Sequence, residues 1–346
     1  QYGDIFFTTS SETPDEVGMS SVLLDDLGEC YLNSFCFGFR LHDFSVLLPQ
    51  YARYLFRGED FRRQMYALSQ GSTRFNLSKR ELLKSELVLP PLAEQKKIAE
   101  ILSTWDEAIA LTEQLIDALG RRKKGLMQRL LLVPAGMEHP QVRFPDFTER
   151  WEVYEFGQVF ERVTRKNDNG CDNVLTASAE FGLISQTEYY NRSVAGASLE
   201  NYYLLHQGEF AYNRSSADGY PYGALKRLER YEEGVVSTLY ICFRLAEENF
   251  DPVFFKHFFE AGGMDRALYQ IVQEGARSHG LLNVSLSDFF SLQIHTPSPE
   301  EQHALAEFFD LVDKEIQLAR QRLEALKRQK KGLMQRLLTG QVRVKV

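Results

Sequence analysis

Mostly apolar positions recur at alternating steps of four and three in two stretches of the chain. The first runs Ile98, Leu102, Trp105, Ile109, Thr112, Ile116, Leu119, Lys123, Leu126 and Leu130. The second runs Leu305, Phe309, Val312, Ile316, Ala319, Leu323, Leu326, Lys330, Leu333 and Leu337. A seam kept over more than four heptads predicts a long helix of coiled-coil type. Pro90-Pro91 and Pro297/Pro299 stand at the starts, and Pro134 and Gly340 follow the ends, which is the usual punctuation of helix termini. Each helix, at about 40 residues, would span roughly 60 Å.

Elsewhere the pattern is shorter and mixed. Val235 to Leu245 (VVSTLYICFRL) predicts one strand entering a core. Phe250 to Gly263 predicts a helix with a glycine at its C-terminal end. VSLSDFFSLQIHTPSP predicts a short helix capped by Ser285 or Ser287, then a last strand. CFGFRL, SVLLPQYARYLFRG and NLSKRELLKSELVLPP follow the same order earlier in the chain. The expected fold is therefore an α/β (α+β) domain with an irregular sheet.

The two seams are copies of one segment. KKGLMQRLL occurs at Lys123 and again at Lys330, and EQKKIAEIL at Glu94 aligns with EQHALAEFF at Glu301, an offset of 207 in both cases. Upstream, GDIFFTTSS at Gly3 resembles GEFAYNRSS at Gly208, Phe39-Arg40-Leu41 matches Phe243-Arg244-Leu245, and GSTRFNLS at Gly71 resembles GARSHGLLNVS at Gly275. Drifting offsets between such matches are what loops of unequal length produce. The expected organisation is four parts: the C-terminal part of a first domain (1–90), a long helix (91–134), a second domain (141–298) and a second long helix (299–340). Subtracting the offset places the start of the first copy about 66 residues before residue 1, so that copy is expected to be incomplete. A domain of this size has a radius of gyration near 15 Å and cannot carry the chain back along 60 Å. The helices are therefore expected to run antiparallel, related by a pseudo-two-fold axis.

Charge and chemistry refine this picture. The net charge of −8 argues mildly against nucleic acid, because phosphate neutralisation needs Lys and Arg. It is tolerable if much of the acid lies on the helices and outer faces. Cys30, Cys36, Cys171 and Cys242 form no CxxC pair or zinc-ligand spacing, and free thiols of a reducing cytoplasm are the expected state. No apolar run of membrane-spanning length occurs, so no membrane partner is expected. GxGxxG, GxxxxGK[ST], HExxH and NPPY- or DPPY-like motifs are absent. No catalytic residue, metal ligand or cofactor is assigned to this chain, and a binding protein is expected rather than an enzyme.

PPLAEQKKIAEIL with LGRRKKGLMQRLL, TPSPEEQHALAEFF with LKRQKKGLMQRLLTGQVRV, and FPDFTERWEVYEFGQVFE (Phe144 to Glu161) together resemble the specificity subunit of Type I restriction–modification enzymes. The resemblance covers essentially the whole chain; the shortened first domain is the departure. It implies two target-recognition domains, each reading one half of a bipartite site in double-stranded DNA, held apart by paired helices acting as a ruler. It implies two modification subunits that supply S-adenosylmethionine and adenine N6-methylation, and restriction subunits that use ATP and Mg, all in a bacterial or archaeal cytoplasm.

Base reading is expected from loops that differ between otherwise matching copies. In the second copy these are Asn213, Arg214, Ser215, Ser216, Tyr220 and Tyr222, with Arg277, Ser278 and His279 in the GARSHG loop. In the first copy they are Thr8, Thr9 and Ser10, with Ser72, Thr73 and Arg74 in the GSTRF loop. Arg forks onto guanine and Asn onto adenine; the plainer reading is ordinary solvated loops. Lys123 and Lys330 are expected to snorkel past the end of the seam, with a DNA phosphate as the alternative partner. The competing function is a non-catalytic coiled-coil adaptor that binds only protein.

Overall fold

The computed structural model describes residues 1–13, 15–29, 31–71, 73–178, 181–191, 198–216, 219–274 and 282–345. They form two compact units, Gln1–Asp117 with Gln317–Val346, and Ala118–Ile316. Each unit takes one mixed α/β part, the first stretch of the long helix that follows it, and the last stretch of the other long helix.

The first unit contains β1 (Ile5–Thr8), β2 (Ser10–Ser11), β3 (Ser20–Val22), β4 (Cys36–Phe39), α1 (Pro49–Leu55), α2 (Glu59–Leu68), β5 (Phe75–Asn76), α3 (Lys79–Leu82) and the start of α4 (Leu92–Leu130). Strand β1 lies between β3 and β4, antiparallel to both. Its alternation sends Ile5 and Phe7 inward. They meet Phe37, Tyr51, Phe61 and Met65, and the same core takes in Ile98 and Leu102 of α4 and the last turns of the second long helix at Leu337.

The second unit contains β6 (Glu152–Glu155), α5 (Phe156–Val159), β7 (Phe160–Val163), β8 (Leu175–Ser178), β9 (Gly182–Ser185), α6 (Gln186–Tyr190), β10 (Tyr203–His206), β11 (Phe210–Asn213), β12 (Ala224–Arg227), β13 (Glu233–Val236) and β14 (Ile241–Leu245). It continues with α7 (Pro252–Glu260), α8 (Asp265–Ile271), β15 (Gln273–Glu274), β16 (Leu282–Asn283), α9 (Leu286–Phe290), β17 (Gln293–Thr296) and the start of α10 (Pro299–Leu338). The main sheet has the order β12-β11-β14-β7. Phe156, Phe160, Phe210, Phe243, Phe255 and Phe289 fill its core, joined by Met127 and Leu130 of α4 and Leu305 and Phe309 of α10. Each such buried ring is worth about 1.5–3 kcal/mol of transfer free energy.

The repeat is preserved at the level of register. Ile5 faces Val22 and Phe39 across β1, and Phe210 faces Arg227 and Phe243 across β11. Ser285 caps α9 by accepting from Asp288 N at 3.1 Å, and Ser78 caps α3 by accepting from Glu81 N at 3.2 Å. One expectation fails: Val235 to Leu245 is not one strand. It splits at the Ser237–Tyr240 turn, where Tyr240 N donates to Ser237 O at 3.1 Å, and its halves, β13 and β14, join different sheets. Strand β17 pairs with β6; the segment of the first copy that aligns with β17 is residues 86–89. There Glu86–Pro90 form no strand, since an unpaired strand would leave its backbone groups without partners. Cys36, Cys171 and Cys242 are unpaired; Cys30 lies outside the described residues.

All listed seam positions of α4 and α10 are buried or half-buried. Within each unit the helix segments run antiparallel. In the second unit Lys123 Nζ meets Asp313 Oδ1 at 2.6 Å and Glu260 Oε1 at 3.0 Å. In the first, Lys330 meets Asp106, which also accepts from Tyr54 Oη at 2.6 Å. The seam lysines therefore do not snorkel to solvent. Each is held by an aspartate of the opposing helix, because a buried ammonium needs a compensating charge.

The Glu-Gln pair that opens each helix is a second repeated fastening. Gln95 accepts from Leu48 N at 3.0 Å and donates to Pro90 O at 2.9 Å; Gln302 accepts from Asp251 N and donates to Pro297 O, both at 2.9 Å. Glu301 takes a two-pronged contact from Arg143 (2.9 and 2.6 Å) and a bond from Trp151 Nε1 (3.1 Å). Glu94 takes the same fork from Arg343 at 2.7 and 2.6 Å. Both arginines belong to a QVR sequence that follows a long helix.

Candidate nucleic-acid interface

In the first unit the two loops singled out come together; in the second, where residues 275–280 lie outside the described residues, Leu282 meets the Arg214 loop. Leu77 N donates to Thr9 O at 2.8 Å, and Leu282 N donates to Arg214 O at 2.7 Å. In the first unit the pairing continues as a short ladder, Ser10 opposite Asn76 and Ser11 opposite Phe75. The loop after the central strand and the loop before the capped short helix thus form one edge.

Not every candidate side chain is available there. Thr8 Oγ1 donates to Glu16 O and accepts from Met19 N, both at 3.0 Å, and Thr9 Oγ1 donates to Phe35 O at 2.9 Å. These hydroxyls hold the backbone of the edge. Ser10 is half-buried, Thr73 and Arg74 are exposed, and Arg74 Nε donates to Ser10 Oγ at 2.8 Å. Ser72 lies outside the described residues, as do Arg277, Ser278 and His279.

In the second unit Asn213 Oδ1 accepts from Ser215 N at 3.1 Å, an Asx-type turn. Gly223 closes this loop: its φ is +85°, and a Cβ there would lie 2.4 Å from Asn213 O. The Arg214 guanidinium turns back into the fold, donating to Leu239 O at 2.7 Å and Val284 O at 3.4 Å. These two bonds brace the edge from within the unit. Ser215 and Ser216 are exposed. Tyr220 Oη accepts from Lys226 Nζ at 2.7 Å, and the same ammonium lies 4.7 Å from the ring centroid. Tyr222 packs edge-on against Tyr269 at 5.7 Å, and its carbonyl accepts from Tyr212 Oη at 2.6 Å.

The long helices do not carry the excess acid. The two long helices hold 13 acidic and 15 basic residues, so the excess negative charge lies in the α/β parts. A phosphate-binding face has therefore to be local.

Among the described residues, one group could in principle ligate a metal: His257, Glu260 and Asp313, with ligand atoms within 4.8 Å of one another. The Lys123 ammonium lies against both carboxylates and supplies the positive charge itself. Burial holds His257 below the usual imidazole range, aided by nearby Lys256, although Asp310 accepts a bond from its Nε2 at 3.1 Å. The cluster is a structural ion-pair network. No helix among the described residues is long and apolar enough to cross a membrane.

A repeated α/β part and helix, with conserved fastenings and divergent edges, defines a duplicated recognition scaffold. Residues 3–121 match the family model of the Type I restriction modification DNA specificity domain. The chain is 28% identical over 280 residues to the Type I restriction enzyme MjaVIII specificity subunit of Methanocaldococcus jannaschii, covering 75% of this chain and 63% of that protein. It is 26% identical over 335 residues to the putative MjaX specificity subunit of the same organism, covering 89% of this chain and 73% of that one. The chain thus spans about two thirds of the length of these relatives. Its fold is that of the HsdS subunit of Thermoanaerobacter tengcongensis, at a TM-score of 0.52 and 14% identity over 99% of this chain and 82% of the other. An S subunit from M. genitalium matches at a TM-score of 0.50 and 13% identity, over 97% and 83%. Residues 3–121 are thus similar to a Type I restriction modification DNA specificity domain, and most of the chain is similar to Type I restriction enzyme specificity subunits.

Proposed function

We propose that this chain confers DNA sequence specificity on a Type I restriction–modification complex, each unit reading one half of a bipartite duplex site. The observation that carries this is a contrast within the repeat. The strand registers, the Gln95/Gln302 latches and the Lys–Asp pairs recur, while the edge residues differ: Thr8-Thr9-Ser10 stand where Asn213-Arg214-Ser215 stand in the other copy. Two supports built alike that present different side chains suit two half-sites of different sequence, with phosphate contacts setting register and base edges supplying identity. Ser10, Thr73 and Arg74, and Ser215, Ser216 and Asn213, are the proposed reading residues of the two units; Ser72, Arg277, Ser278 and His279 belong to the same loops.

The chain itself is a non-catalytic subunit. Two modification subunits docked on the helices would supply S-adenosylmethionine and adenine N6-methylation, and restriction subunits would supply ATP- and Mg-dependent cleavage, in the cytoplasm of a bacterium or archaeon. Partner subunits would also share the phosphate contacts that an acidic chain makes poorly. The helices act as the ruler between half-sites. The parts assigned are a first recognition domain (1–90), its helix (91–134), a second recognition domain (141–298) and its helix (299–340).

The test is selection from a randomised duplex library with the full-length chain bound to its modification partner. Enrichment of a two-part sequence with a fixed gap is expected. A pool no different from random duplex would refute the reading and favour the protein-only adaptor.

A further inference from the structure

We infer that Arg74 reads a guanine in the half-site of the first unit, held in its reading posture by Ser10 and Phe35; this rests on the DNA-reading function proposed above. The loop that carries Arg74 is closed on itself. Gln70 N donates to Asn76 O at 2.9 Å and Asn76 N to Gln70 O at 2.8 Å. Gly71 has a φ of +125°, and a Cβ on it would lie 2.0 Å from Arg74 O, so the turn tolerates no side chain there. Asn76 Nδ2 also donates to Arg74 O, at 3.2 Å.

The side chain is fixed from two directions. Nε donates to Ser10 Oγ at 2.8 Å, and the guanidinium lies over the Phe35 ring, 5.5 Å from its centroid. Phe35 is held in turn: its N donates to Asn33 Oδ1 at 2.9 Å, and its O accepts from Thr9 N at 2.8 Å and from Thr9 Oγ1 at 2.9 Å. Phe35 nevertheless remains 54% exposed, a large apolar surface for a ring that serves only as filling. Among the described residues none engages the Arg74 Nη1 and Nη2 groups.

This leaves a planar pair of donors, pre-oriented and outward. Guanine presents O6 and N7 side by side in the major groove, which two parallel N–H donors match. Fixing the fork before binding removes rotamer entropy that a free arginine would lose on contact. A phosphate contact needs no such bracing. Arg214 differs in that both its Nε and its Nη1 bond carbonyls of its own unit, so its fork is partly engaged there.

The experiment repeats the library selection with Arg74→Ala and Arg74→Lys in the full-length chain with its modification partner. Far-UV circular dichroism and a thermal melt verify that these exposed substitutions leave the fold intact. The expected result is loss of about ten-fold or more of the guanine preference at one position of one half-site in both variants, with the other half-site unchanged. Lysine fails as alanine does, because it keeps the charge and loses the fork. Ser10→Ala and Phe35→Leu weaken the same position by less. An unchanged base profile in Arg74→Ala would overturn the inference, as would a uniform fall in affinity rescued by lysine, which marks a phosphate contact. If the wild-type chain enriches nothing, the DNA-reading function itself fails and Arg74 has no base to read.

Discussion

Replacing Glu301 by alanine should cost far more than the same change at its copy, Glu94. Glu301 is 2% exposed and its partner Arg143 has a side chain 11% exposed. Deleting the carboxylate removes both prongs of the Arg143 fork and the acceptor of Trp151 Nε1. Only the bond from Arg143 Nη1 to Glu149 O, at 2.6 Å, stays. A guanidinium left in such a site without its counter-charge costs about 3–5 kcal/mol. At Glu94 the partner Arg343 has a side chain 67% exposed, so water replaces the lost carboxylate and the loss is much smaller. The assay is urea unfolding followed by tryptophan fluorescence. Trp151 reports the second unit in a Trp105→Phe background, used for Glu301→Ala, and Trp105 reports the first unit in a Trp151→Phe background, used for Glu94→Ala. The stability extrapolated from the Trp151 transition should fall by about 3–5 kcal/mol in Glu301→Ala, and by less in Glu301→Gln, which keeps an acceptor. Equal losses from Glu301→Ala and Glu94→Ala would refute the reasoning that burial, not the motif, sets the magnitude.

Two further outcomes follow from the same geometry. His257 is held below the ordinary imidazole range by burial, between Lys256 and Glu260 of α7, Asp310 and Asp313 of α10, and Lys123 of α4. The unfolded chain therefore takes up a proton first as pH falls through about 6.5, so stability is full above that range and declines below it. His295, also lowered by burial, adds to the slope. The His257 share is isolated by His257→Gln, whose unfolding midpoint should fall less between about pH 7 and 5; a slope equal to wild type would exclude His257 as a source. Inserting one heptad into each long helix, after Asp117 and after Glu324, adds about 10 Å. A selected site should then show its gap lengthened by about three base pairs at 3.4 Å each, and an unaltered gap would remove the ruler.

The long helices were legible because a seam is a local periodicity, and because the second copy checks the first. The short capped helices at Ser78 and Ser285 were legible for the same local reason. What escaped the sequence depends on long-range partners. The run VVSTLYICFRL is mostly apolar, and its one polar pair, Ser237-Thr238, is too weak a turn signal on its own to show that the run leaves one sheet for another there. Lys123 and Lys330 were placed on the seam correctly, but their aspartates sit on the opposing helix, far away along the chain. Arg214 has the residue type of a base reader, and only the carbonyls of Leu239 and Val284 reveal that two of its donors also brace its own unit. The Arg143 and Arg343 forks could have been found, since QVR recurs after each helix. Phe35 could not: an exposed phenylalanine in NSFCFGF has no pattern that announces an arginine above it.

The central claim is that each unit reads its own half-site, and a domain exchange measures this most directly. Residues 141–298 would be replaced by the corresponding segment of a relative with a different target, the chimera expressed with the modification subunits, and the methylated sites of the host genome mapped. One half of the bipartite motif should change while the other half, and the gap, stay as they were. A motif altered in both halves, or in neither, would contradict the two-unit reading.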